Sequence, residues 1–480
     1  MPHRLVQDPG LPVANPTTSH WQIPPNQEVL NIQSPNLPET RDVVVLGSGI
    51  TGLSVSWWLL KDSDSLSLSV LDAREICSGA TGRNGGRINC TAVQDFEKYR
   101  RLYGHDVAVK IVRFELAHLD AIQTMIREAG SEIAQSSDVR AVDAIVAIFD
   151  EKTLGEFETM LENFESAFPD LKGQWRIVDR EGLTQKYNIT NAKGGLVGRA
   201  GAAWPYRLVT GIFAQLRAKN EHRFTLEANT PALSVSRTLD DNYPYTVATP
   251  RGIIKAKHVV HCTEGHSAHL LPHLRGILVP RRGQMSVQNF AIGPPRLGSR
   301  SWSIVTGDLL DYATQDPRTG EIFVGGGETN VGKAAGLGNS SDAEQDFLAL
   351  SHLFGVLPAA FKVDQRDHEV ADKKRIVASW TGTMCNSLDK VPLVGMLPQS
   401  FLNRPAGQQS SAEWISSGYG GYGMVNAFLC GKALAKMMTG QDVSSWLPEP
   451  YYLTQERAER LQRTLQRVFS SEKEHIKSLL

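Results

Sequence analysis

The residues from Arg41 to Arg87 constrain this chain more than any other stretch. Asp42-Val43-Val44-Val45-Leu46 sets four apolar residues in a row, as in a strand buried on both faces. Gly47-Ser48-Gly49-Ile50-Thr51-Gly52 follows directly and runs into the apolar segment Leu53 to Leu60, expected to be a helix. Leu66, Leu68 and Val70 then alternate with serines, and Leu71-Asp72 closes a second strand, its acid twenty positions beyond Gly52. Strand, G-x-G-x-x-G turn, helix, strand and terminal acid together form a dinucleotide-binding unit. Gly47 permits the tight turn, Gly49 lets a pyrophosphate approach the backbone, and Gly52 lets the helix pack on the strand. The helix start faces the phosphates, where the macrodipole adds about 0.3–1 kcal/mol per charge. Asp72 accepts from ribose hydroxyls in this reading, and a carboxylate there repels a 2′-phosphate, which argues against NADP. The unit by itself does not separate NAD from FAD.

A chain of 480 residues can bury a large core, and two domains are expected. Fifty basic residues against fifty-one acidic ones give no basic surface for nucleic acid or membrane. The five cysteines (Cys77, Cys90, Cys262, Cys385, Cys430) are scattered and odd in number, which fits free thiols in a reducing compartment. The N-terminus has no apolar signal core, no apolar run reaches bilayer length, and the ending Lys477-Ser478-Leu479-Leu480 is not a peroxisomal address. A cytoplasmic protein is expected. His258, His261, His266, His269 and His273 cluster, but Pro272 argues against a helical pair from His269 and His273, and no metal is expected.

Eight prolines among residues 1–40 exclude helix or central strand, leaving an extended arm or a disordered leader, with Trp21 and Ile23 as possible tethers. Apolar spacing predicts helices over about 106–128 and 154–168, and alternation predicts a strand over 139–149. Further strands are expected at 224–227, 245–249 and 257–262, more between Ile277 and Phe323, and a helix over 341–361. Near the C-terminus a strand at 412–416 leads into a second glycine turn, Gly418, Gly420, Gly421 and Gly423, and a helix from Met424 to Met438. A polar helix, Thr454 to Phe469, docks through Leu461, Leu465, Val468 and Phe469 in this reading.

Several segments together resemble the FAD-dependent oxidoreductases of the D-amino-acid-oxidase-like superfamily. They are the GSGITG turn, the LDARE strand end, the SGATGRNGG loop, HCTEG, PRRGQM, SWTGTMCNSLDKVPLVG and SGYGGYGMVNAFLCGKALAKMM. The resemblance is nearest to the fungal and bacterial amine and amino-acid oxidase branch, which includes γ-glutamylputrescine, sarcosine and glycine oxidases, and it covers about residues 41–440. It implies an α/β fold with an α+β second domain. A discontinuous Rossmann-like FAD-binding domain of glutathione-reductase type comes from 41–100, 196–272 and 376–440. An antiparallel-sheet substrate domain comes from 101–195 and 273–375. The arm at 1–40 and a helical tail at 441–480 lie outside these parts.

By the same resemblance Gly47, Ser48, Gly49, Ile50, Thr51 and Gly52 hold the pyrophosphate, and Asp72 holds the adenosine ribose beside Ala73 and Arg74. Thr81, Arg83, Asn84, Gly85 and Gly86 wrap pyrophosphate, ribityl chain and flavin edge. Arg83 supplies charge for the diphosphate, unless it makes a surface ion pair. Ala232 contacts adenine, and Thr263 and Gly265 close over the nucleotide. In the second turn Gly418, Tyr419, Gly420, Gly421, Tyr422, Gly423 and Met424 point a helix N-terminus at the flavin pyrimidine ring, where negative charge develops on reduction. Tyr422 stands where close relatives often have His. Gly382 stands seven residues before Asp389, where sarcosine-oxidase-type enzymes carry the flavin-linking cysteine, so non-covalent FAD is expected.

The implied reaction takes a hydride from the C–N bond of an amine or amino acid, leaving an imine, with O2 reoxidising the flavin to give H2O2. Arg282, Tyr312, Trp302 and Trp380 are the substrate-facing candidates, Arg282 as a bidentate grip on a carboxylate. Two alternatives stay open: a tailoring enzyme of secondary metabolism that cyclises through the imine, and a non-catalytic flavin-binding partner protein.

Overall fold

The computed structural model describes residues 2–292, 297–327, 336–362 and 374–470. The C-terminal Lys477 to Leu480 lies outside the described residues. The strands in chain order are β1 (Thr40–Leu46), β2 (Leu68–Leu71), β3 (Arg87–Ile88), β4 (Arg140–Ile148), β5 (Arg176–Asp179), β6 (Gly194–Ala202), β7 (Phe224–Glu227), β8 (Ser234–Arg237) and β9 (Tyr245–Thr249). They continue as β10 (Gly252–His261), β11 (Leu278–Gln288), β12 (Arg300–Thr306), β13 (Leu309–Gln315), β14 (Ile322–Gly326), β15 (Ile376–Ser387), β16 (Leu393–Met396) and β17 (Glu413–Ser417).

Two sheets carry the chain. The first runs β16-β17-β10-β1-β2-β7, parallel from β17 to β7, with β16 antiparallel at one edge and the β8–β9 pair attached through β10. Val43, Val44, Val45 and Leu46 are all buried, as a strand covered on both faces requires. The helix Ile50–Asp62 and the helix Ala427–Met438 pack side by side on this sheet. Their backbones approach so closely that a Cβ on Gly431 would stand 2.9 Å from Thr51 O, and Ser54 Oγ donates to Phe428 O at 2.5 Å. Both helices follow a glycine turn. The turns that the sequence places nearly 370 residues apart (Gly52 to Gly421) thus open on one region.

The second sheet runs β15-β11-β14-β13-β12-β4-β6-β3, with β5 on β6, and is antiparallel apart from the β4–β12 pair. Three strands from stretches assigned by sequence to the FAD-binding domain, β3, β6 and β15, join this sheet instead. Strand pairing decides such membership, and the register of β15 along eleven positions of β11 is not legible from either segment alone.

The arm lies outside both sheets up to Thr40 but is not wholly extended: Pro2–Leu5 forms a short helix and His20–Gln22 a 3-10 turn, against the expectation of no helix, because a proline at a helix start gives up only an N–H that has no helical partner. Trp21 stacks on Phe323 at 3.7 Å and donates to Asn84 O at 2.5 Å, while Trp204 Nε1 donates to Trp21 O at 2.6 Å. A Cβ on Gly86 would stand 2.8 Å from the Trp21 ring, so this glycine, at φ +67°, makes room for the arm. Ile23, the other expected tether, is half exposed. In the last helix, Gln455–Ser470, Leu461 and Val468 are buried as expected, but Phe469 is exposed. Among the described residues no helix is long and apolar enough to cross a membrane, and no group of His, Cys, Asp or Glu is arranged to hold a metal. The clustered histidines part company: His261 bonds Glu413, His266 the Gly10 carbonyl, His269 the Asp8 carboxylate and His273 the Ser400 carbonyl.

Candidate functional site

A cavity of about 600 Å³ opens at the carboxyl ends of β1, β2 and β10 and reaches across to the second sheet. This is where parallel α/β sheets bind ligands, and the volume suits a cofactor site. Of the residues that the sequence assigned to a cofactor, all but Gly52, Gly86 and Gly418 line it.

Each glycine of the first turn has a separate geometric reason. Gly47 is held at φ +102°, and a Cβ there would lie 2.6 Å from Cys262 O. A Cβ on Gly52 would run into Gly47 O. Gly49 is extended, and a Cβ there would meet only the Thr81 side chain, at 3.0 Å, beside the helix start. Thr81 Oγ1 in turn accepts the Ile50 N–H at 3.1 Å, which ties the SGATGR loop to the helix N-terminus. Asp72 accepts from Ser48 N at 3.0 Å, Ser48 Oγ at 2.5 Å and Arg74 N at 3.0 Å. Burial nevertheless raises its carboxyl above the ordinary range.

Arg74 and Arg83 are spoken for within the protein. Arg74 makes a two-pronged pair with Asp342, at 3.0 and 2.9 Å. Arg83 is buried, with its guanidinium on the carbonyls of Ser78 (2.8 Å), Thr381 (2.8 Å) and Thr17 (2.6 Å) and 3.2 Å from Asp342. Arg74 and Arg83 thus share the one Asp342 carboxylate, which leaves a net positive charge beside the cavity that Arg83 lines.

At the second glycine turn, the Glu264 carboxylate accepts the N–H groups of Gly418 (3.0 Å) and Tyr419 (3.1 Å) and the Ser417 hydroxyl (3.2 Å). Glu264 is the residue after Thr263, and its backbone sits at φ +46°. Burial lifts its carboxyl to about 7 against those hydrogen bonds. One acidic side chain thus joins the end of β10 to the turn after β17 and holds that turn's backbone in place. The HCTEG motif contained it, but an acid in a loop gives no sign that its partners are backbone N–H groups 150 residues away.

The wall on the second sheet departs most from expectation. Of the four substrate-facing candidates only Tyr312 lines the cavity. Its ring lies against Gly85 and Gly325, where a Cβ would collide with it, and its hydroxyl donates to Met285 Sδ at 3.4 Å. Arg282 is on the other face of β11, 3.9 Å from Glu344, because alternate strand residues point to opposite sides and Arg281 takes the cavity side. Trp302 is buried in an apolar cluster against Phe361. Trp380 is buried with Nε1 donating to Arg83 O at 2.8 Å, so it supports the loop from behind.

A second arginine in this wall, besides Arg281, is Arg87. Its Nη2 donates to Ser303 Oγ at 2.8 Å, its guanidinium lies 5.6 Å from the Tyr312 ring centroid, and its Nε is buried with no hydrogen-bond partner among the described residues. Burial lowers its pKa to about 10, which leaves it charged at neutral pH, and among the described residues no carboxylate makes an ion pair with it. A buried cation without a protein anion is costly unless a ligand supplies the counter-charge. Arg87 directly follows the Gly85-Gly86 pair, and that adjacency was the available signal.

The residues present fit a flavin dinucleotide: a ribose acid, a Cβ-free cradle at Gly49, and two helix starts on one elongated cavity. A family model described as DAO, FAD dependent oxidoreductase, matches residues 42–437. Over 417 residues the chain is 25% identical to gamma-glutamylputrescine oxidoreductase of Escherichia coli (strain K12), with 84% of each chain covered. The fold is similar to glycine oxidase from Geobacillus kaustophilus at TM-score 0.64 and 14% identity, covering 87% of this chain and 99% of that one. It is similar to L-proline dehydrogenase from P. horikoshii at TM-score 0.64 and 17% identity, covering 89% and 99%.

Proposed function

The chain belongs to the DAO family of FAD-dependent oxidoreductases, and on that premise we propose that it oxidises the C–N bond of an amine or amino acid that carries a carboxylate. The observation behind the carboxylate is Arg87, a half-buried guanidinium in the cavity wall whose buried Nε has no partner among the described residues. FAD held between the Gly47–Gly52 turn and the Gly420–Met424 wall would supply the hydride acceptor, with O2 as the electron acceptor and hydrogen peroxide as its product in this reading.

The chain's own residues bind and orient. Arg87 grips the carboxylate, with Ser303 holding one of its nitrogens and Tyr312 lying beneath its plane. A fixed carboxylate leaves the amine-bearing carbon one arc of positions, which is the alignment that the transfer needs. Glu264 holds the Gly418–Tyr419 backbone, so that Gly421, Gly423 and Met424 in the cavity wall present a fixed surface to the flavin ring. Tyr422 and Met285 narrow the same end.

FAD is held without a covalent bond in this reading. Gly382 lies in the cavity wall, while Cys385 is buried in a separate apolar cluster. Denaturation should therefore release all the flavin, and flavin remaining on the polypeptide after gel filtration in denaturant would refute this. The function itself is tested by anaerobic bleaching of the flavin with primary amines, secondary amines and D- and L-amino acids, each paired with its decarboxylated analogue. Carboxylate-bearing members should reduce the flavin and, in air, yield peroxide in a peroxidase-coupled assay. Equal reduction by the decarboxylated analogues would sink the carboxylate reading, and reduction without peroxide would remove O2 as acceptor.

A further inference from the structure

The family match begins at residue 42, yet part of the arm before it stands in the wall of the cofactor cavity. Gly10, Leu11 and Pro12 share that wall with Asp72, Ala232 and Leu270, at the end where the strand-terminal acid places the adenosine. The segment is fastened from both sides. The Asp8 carboxylate pairs with His269 Nδ1 at 2.9 Å and Arg275 Nη2 at 2.6 Å, and it accepts the Gly10 N–H at 2.9 Å. Pro9 O accepts from Ser340 Oγ at 2.7 Å, Gly10 O is 3.0 Å from His266 Nδ1, and Val13 O accepts from Arg74 at 3.2 Å. His266 and His269 follow directly on Thr263 to Gly265, the loop expected to close over the nucleotide.

Within this fastened segment Leu11 keeps 37% of its surface exposed. The uncovered part of a leucine fixed at a cavity wall is placed to meet an apolar face of whatever fills the cavity. An adenine ring has such faces and carries no charge. A wall fastened in advance also costs little ordering when the ligand arrives.

We propose that residues 10–12 form the outer wall of the adenosine half of the FAD site, with Leu11 packed on the adenosine and Asp8 fastening the segment. The cofactor is then retained by a stretch of chain that lies outside the family match.

The test uses the purified holoprotein with Leu11→Ala and, separately, Asp8→Ala. FAD release after dilution is followed by the rise in flavin fluorescence. Release from Leu11→Ala should be about tenfold faster than from the wild type, as expected for losing part of a buried leucine, and Asp8→Ala should be faster too. The apo form of Leu11→Ala should unfold near the wild-type temperature, and in both variants the stabilisation on adding FAD should shrink. Release within twofold of wild type in both variants would overturn the proposal. So would an equal fall in unfolding temperature with and without FAD, because that would make the arm structural only. Neither readout involves substrate, so the result is independent of the carboxylate assignment.

Discussion

Arg87→Met is expected to lower kcat/KM for a carboxylate-bearing amine by about a thousandfold while the flavin stays bound. Removing one partner of a desolvated, hydrogen-bonded charge pair costs about 2–5 kcal/mol, and about 4 kcal/mol is three orders of magnitude. Methionine fills similar space and leaves Tyr312 and Ser303 in place, so the change falls on charge. Arg87→Lys should recover only part of the loss, because an ammonium is a point charge and cannot make the planar two-pronged contact. The decarboxylated analogue should lose little in either variant. The measurement is steady-state kinetics at matched flavin content. An Arg87→Met enzyme with wild-type kcat/KM would remove this residue from the substrate site.

Gly49→Val is expected to give a folded but colourless protein. The backbone at Gly49 is extended, at φ −74° and ψ −174°, so a β-branched residue can adopt it. Its Cβ would lie 3.0 Å from Thr81 Oγ1, and the γ carbons would take the space over the helix start. The loss of FAD affinity should be about a hundredfold or more, read as absent visible flavin absorbance with an unchanged far-ultraviolet dichroism spectrum. Gly52→Val makes the contrasting case, because its Cβ would run into the Gly47 carbonyl and the turn itself could not form. That variant should fail to accumulate as folded protein. A fully yellow Gly49→Val would remove the pyrophosphate from this turn.

The two variants mark where sequence reasoning was strong. The turn's glycines, the strand acid and the second glycine turn were legible because each meets a local demand: a positive φ, a close helix–strand approach, a helix start open to the cavity. Such demands act over a few residues and leave their residue types at fixed spacing. The family assignment rested on several of these in order, and the match over residues 42–437 agrees with it.

The substrate wall was not legible in this way. Arg281 and Arg282 differ only in which face of β11 they occupy, and that phase is set by pairing with β14 and β15. Trp302 and its neighbour Ser303 are separated by the same alternation: the tryptophan enters the core and the serine reaches Arg87. Nor does the sequence show that Arg83 lies beside Asp342, which follows it by about 260 positions and is shared with Arg74. Proline density alone left open whether the arm was ordered, and its order depends on Trp21 finding Phe323 and Trp204.

By itself, then, the sequence determined the dinucleotide fold, the flavin family and the cradle, since these follow from backbone requirements that only a few residue types satisfy. Tertiary structure alone decided that Arg87 and Arg281 rather than Arg282 line the cavity, that Arg74 and Arg83 share Asp342, and that residues 10–12 join the cavity wall. Those outcomes depend on strand phase and on charges brought together from distant parts of the chain, and no local spacing records either.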